Sequence, residues 1–98
     1  MTHTIDWQGE ARLTFGDALE TRVRAVLFRN GGPAGWSGEV VIEGAAPITP
    51  GDRVELTIGR SPCRALVRGA AIRGGAGHRT TSLLIDGDGP PPAPLARR

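Results

Sequence analysis

Apolar and polar residues alternate along most of this chain, in short runs broken by glycine and proline. A period of two is the mark of a strand with one buried face. Residues 10–15 place Ala11, Leu13 and Phe15 on one face and Glu10, Arg12 and Thr14 on the other. Residues 19–29 place Leu19, Thr21, Val23, Ala25 and Leu27 inward, with Val26 and Phe28 among the outward positions. Strands are also predicted over 36–43, 53–58, 63–72 and 79–85, and a short leading strand over 4–7. Turn chemistry separates them: Gly16-Asp17, the flexible stretch 30–35, a corner over 44–52, residues 59–62, and the loop Gly74-Gly75-Ala76-Gly77. Within the corner, Thr49-Pro50-Gly51-Asp52 fits a type II turn, proline presetting one φ and glycine accepting the positive one. No segment has the 3.6-residue apolar period of a useful helix.

Matching inward faces suggests registers. Setting Arg29 against Trp36 brings Val23 to Ile42, Ala25 to Val40 and Arg22 to Glu43. Setting Ile58 against Cys63 brings Leu56 to Ala65, Val54 to Val67 and Arg53 to Arg68. Residues 69–71 are weakly patterned, the place where a bulge would reverse strand parity. The expectation is an all-β domain over 1–89, a small antiparallel barrel of about six strands, with a small β-sandwich as the alternative. A flexible Pro-rich tail is expected over 90–98.

Composition narrows the function classes. The 15 glycines and 8 prolines among 98 residues favour turns over helices. No apolar run reaches the length of a membrane span, and residues 1–8 lack a signal-peptide pattern. All 12 basic residues are Arg, and they nearly balance 10 acids. The excess is Arg97 and Arg98, which argues against nucleic acid as the partner. Cys63 is the single cysteine, so no intrachain disulfide forms, a cytoplasmic setting is expected, and the thiol packs as a small apolar group.

Catalytic patterns are sparse. His3 and His78 have no paired spacing, so neither a metal nor a cofactor is expected. Cys63, His78 and Asp86 make a triad only on paper. Asp86 and Asp88 read as turn formers. The 74–77 glycines lack the following helix and Lys of a phosphate loop, and Trp36 reads as core.

Two surfaces remain. Val26, Phe28, Val41, Leu66, Leu83 and Ile85 are assigned outward parity, and a contiguous outer apolar patch marks an interface with self or another protein. Arg22, Arg24, Arg53, Arg64 and Arg68 form the alternative, a face for a small anionic ligand or nucleotide, with the Arg53–Arg68 apposition as its focus. An enzyme ranks third.

Gly9-Glu10-Ala11-Arg12-Leu13, Gly35-Trp36-Ser37-Gly38 and Gly87-Asp88-Gly89-Pro90-Pro91-Pro92 together resemble an actinobacterial family of small β-domains of unknown function, found alone or behind flavin-dependent monooxygenases. The resemblance spans 7–92 and implies a fold, with no active-site residues to carry over. Pro50-Gly51-Asp52-Arg53-Val54-Glu55-Leu56 is similar to one hairpin of the PilZ domain, a small barrel that binds cyclic di-GMP. That family uses paired Arg and a later Asp-x-Ser-x-x-Gly. Here Val23 separates Arg22 from Arg24, and Trp36-Ser37-Gly38 is the nearest stretch to the second motif, so the likeness implies architecture. The reading is a non-enzymatic barrel module acting through protein contacts.

Overall fold

The computed structural model describes residues 5–16, 19–30, 33–75 and 77–96. His3, Thr4, Asp17, Gly31, Gly32, Ala76, Arg97 and Arg98, named above, lie outside them. Among the described residues six strands run in order: β1 (Trp7–Phe15), β2 (Leu19–Phe28), β3 (Ser37–Glu43), β4 (Arg53–Ile58), β5 (Ser61–Arg73) and β6 (Thr80–Gly87). A single helical turn follows, α1 (Ala93–Ala96). The strands close into an antiparallel barrel in the order β1-β2-β3-β6-β5-β4, and β4 returns to β1 through Leu13 and Leu56. Closure removes most of the free edges that six short strands would leave in an open sheet.

The inward faces meet as their pattern requires. Val23 stands opposite Ile42 and Ala25 opposite Val40, the predicted β2–β3 register. Leu13, Leu27, Val40, Leu56, Ala65, Leu83 and Ile85 are fully buried in the centre. Ala46 and Ile48 from the corner after β3 close one end. The corner carries the expected turn: Gly51 has φ 97°, and Asp52 N–H donates to Thr49 O at 3.1 Å.

Trp36, Pro92 and Leu95 close the other end. The Trp36 indole N–H donates to Gly89 O at 3.0 Å, and the Arg29 side chain donates to Leu95 O at 2.8 Å. The tail expected to hang free is therefore docked at least to Leu95, since a leucine and a proline in its sequence supply the lid that the barrel mouth lacks. Gly87 makes the docking possible. A Cβ there would overlap the Trp36 ring, and Gly87 N–H donates to Trp36 O at 2.9 Å.

One register differs from expectation. Ile58 pairs with Ser61, so β4 and β5 join through the two residues Gly59-Arg60, with Gly59 at φ 61°. A two-residue turn that tolerates positive φ matches strand twist better than a four-residue one. Pro62 then sits in the strand, before β6 reaches β5 at Ala65, where its missing N–H costs no ladder bond. Leu56 meets Cys63 and Arg53 meets Leu66, so Arg53 and Arg68 do not face each other. The bulge anticipated near residues 69–71 falls between Val67 and Gly69.

The parity of β6 is also reversed. Thr81, Leu83, Ile85 and Gly87 face inward. Thr81 accepts this position because its hydroxyl is fully partnered there: it donates to Gly44 O at 2.8 Å and accepts from Ala46 N–H at 3.0 Å.

Candidate functional site

The outer face of β2, β3, β6 and β5 is where the apolar outward residues gather. The pairings set Val26, Glu39, Leu84 and Gly69 in one row across these four strands. Phe28, Ser37, Asp86 and Leu66 form the next row, and Val41 lies one row back, between Arg24 and Ser82. Leu66 and Leu84 are 39% and 40% exposed, while Val26, Phe28 and Val41 are half-buried. Gly69 provides the space over which Leu84 lies, its Cδ1 3.5 Å from where a Cβ would stand. Glu39 interrupts the apolar surface, and Asp86 is engaged by Arg68 at 3.4 Å.

Four of the six predicted interface residues are on this face. Leu83 and Ile85 are not: both are fully buried core residues. Leu84, absent from the predicted set, takes the outward place between them. The run Leu83-Leu84-Ile85 has no polar residue to betray its parity. Pairing with β3 could have supplied it, because Val40 is inward and stands opposite Leu83.

The five arginines do not converge on one point, although Arg53 and Arg64 line one depression together with Glu55 and Asp88. Arg24 faces Glu10 across β1 and Val41 across β3. Arg64 faces Glu55. Arg53 reaches Asp88 at 3.8 Å, so Asp86 and Asp88 hold cations in addition to bounding the turn. Arg22 differs, since it stands directly opposite Arg12. These two line a shallow depression of about 340 Å³ with Glu10, Ala11, Thr57 and Gly59. Arg12 also reaches Glu20 at 3.8 Å, a pair exposed to water, where its contribution is small. Arg12 was outside the predicted set. Its facing of Arg22 follows once residues 15 and 19 are paired across the β1–β2 turn.

The paper triad is not assembled. Cys63 lies near the start of β5 and His78 beyond its end, with about 30 Å of extended strand between. Cys63 is buried with its thiol 3.3 Å from Leu56 O. Burial first, and the Glu55 carboxylate second, push that thiol from 9.0 up to about 12. His78 is exposed, 4.0 Å from Glu43. Among the described residues, no group of three or more His, Cys, Asp or Glu is placed to hold a metal ion. Among the same residues, no helix is long and apolar enough to cross a membrane. No family model, curated protein or solved structure matches the chain.

Proposed function

We propose that this barrel is a non-enzymatic binding module that acts through protein contacts made by the outer face of β2, β3, β6 and β5. One observation carries the reading: Leu66 and Leu84 stay about two-fifths exposed on the same face as Val26, Phe28 and Val41. Large aliphatic side chains clustered on one outer face gain by being covered, at about 25 cal/mol per Å² removed from water. The interspersed Glu39 and Ser37 suit a reversible interface rather than a permanent one. A buried, protonated Cys63 with no disulfide partner supports a cytoplasmic setting.

Light scattering coupled to size exclusion tests the self-association form. A mass near twice 10.3 kDa, reduced by the double substitution Leu66→Ser and Leu84→Ser, is the expected result for a homo-oligomer. Binding of another protein that survives the double substitution would overturn the choice of face. A second reading, an anionic-ligand module, draws on Arg22 facing Arg12 beside the depression. It predicts a thermal shift with phosphate or nucleotides that Arg22→Ala abolishes.

A further inference from the structure

The barrel is incompletely paired along the second half of β5, as it also is along Trp7–Ala11 of β1, which β4 does not reach. β4 covers β5 up to Leu66. The corner extends this cover by one residue: Gly51 N–H donates to Val67 O at 2.8 Å, and Val67 N–H donates to Asp52 O at 2.8 Å. From there to Arg73, β5 pairs with β6 alone.

Strand geometry identifies the backbone groups left over. Successive residues send their N–H and C=O groups to opposite sides. On the β6 side, Gly87 N–H turns to Trp36 O, while Asp88 N–H turns to Arg64 O. The even-numbered residues of β6 therefore face β5. Their partners beyond the bulge are Gly69 with Leu84, Ala71 with Ser82 and Arg73 with Thr80. Ala70 and Ile72 then direct their N–H and C=O groups to the open side, and neither finds a backbone partner there among the described residues.

The side chains agree. Ile72 pairs with Thr81, which is fully buried, so Ile72 has core-side parity. It is nevertheless 55% exposed, because no strand stands beside it. Arg68 and Arg73 bracket the open stretch. Asp86 holds Arg68, whereas Arg73 has no ion-pair partner within 4 Å among the described residues.

From this juxtaposition we infer that the edge at Ala70 and Ile72 accepts an extended acidic peptide of a partner protein by strand addition. The added strand bonds the four open backbone groups, lays an apolar side chain over Ile72 and sets a carboxylate against Arg73. A second copy of the chain fits this edge poorly. Joining two such edges would bring Arg68 and Arg73 of both copies into one ladder, with like charges close together. The edge uses none of Val26, Phe28, Val41, Leu66 or Leu84, so it and the outer-face reading fail independently.

The test uses the full chain and two end-capped, fluorescent peptides of alternating valine and threonine, one flanked by glutamates and one by lysines. Anisotropy titration should show saturable binding of the glutamate peptide and weaker binding of the lysine peptide. Ile72→Pro removes an outward N–H and no ladder bond. It should weaken binding about tenfold or more with the thermal midpoint little changed. Arg73→Glu, which leaves the backbone alone, should reverse the preference between the peptides. Absence of glutamate-peptide binding up to roughly 1 mM would overturn the proposal. So would binding that both substitutions leave intact, or a concentration-dependent dimer that Ile72→Pro dissolves, which would give the edge to a second copy.

Discussion

Replacing Gly87 with alanine should unseat Trp36 and with it the closure of one barrel end. The added methyl would overlap the indole at Cε2 and Nε1. The ring is 1% exposed and cannot retreat into solvent without opening the core. Overpacking of this kind costs about 1–3 kcal/mol. A displaced indole also forfeits its 3.0 Å bond to Gly89 O, and an orphaned buried donor costs about 1–3 kcal/mol more. The combined loss of about 2–6 kcal/mol corresponds to a fall in thermal midpoint of roughly 8–48 °C for a domain of this size. Urea and thermal unfolding followed by circular dichroism would measure it. Tryptophan emission should shift to the red, with Trp7 as the constant background. Gly69→Ala is the matched control, because a Cβ there meets Leu84 Cδ1 at an ordinary 3.5 Å. It should be neutral or stabilising by about 0.4–1 kcal/mol through the unfolded chain. A Gly87→Ala protein within about 1 kcal/mol of the parent, or equal losses at both glycines, would refute the reasoning.

Other outcomes follow from the same structure. Thr81→Val keeps shape but orphans Gly44 O and Ala46 N–H, and urea unfolding should register a loss of about 2–4 kcal/mol. Leu95→Ala should cost about 2–5 kcal/mol because Leu95 is 2% exposed, whereas a free tail would show no change in midpoint. Cys63 links stability to alkaline pH. Its folded pKa is raised, so its full contribution is present below pH 9 and falls by roughly 1 kcal/mol per unit between 9 and about 12. With no Lys or Tyr titrating in that window, Cys63→Ala should flatten the slope of the urea midpoint against pH. Arg53→Ala and Arg68→Ala should each change stability by less than about 1 kcal/mol, since their ion pairs are solvated.

The alternating pattern made much of the fold legible. It located six strands, placed β4 at its observed bounds and set the β2–β3 register, because the inward Val23 and Ala25 find apolar partners in Ile42 and Val40. It also placed Trp36 and Cys63 in the core. The candidate site was only partly legible. Val26, Phe28, Val41 and Leu66 take their parity from the polar positions flanking them on β2, β3 and β5, whereas the pattern assigns Leu83-Leu84-Ile85 the opposite parity to the one it adopts. One buried threonine, satisfied by backbone groups far away in sequence, chose between the two.

What the chain determined by itself was local: strand positions, the Pro50-Gly51 turn and the inward faces of every strand but β6, all dictated by pleat period and allowed φ values. What the tertiary structure decided was how those pieces meet. The β4–β5 register shifts by two because Ser61 can close a two-residue turn, and that shift separates Arg53 from Arg68. Pro92 and Leu95 dock because the barrel mouth beside Trp36 needs covering. Ile72 stays open because β4 is shorter than β5. Each of these turns on contacts between residues distant in sequence, whose energies depend on a closed barrel and cannot be read from spacing along the chain.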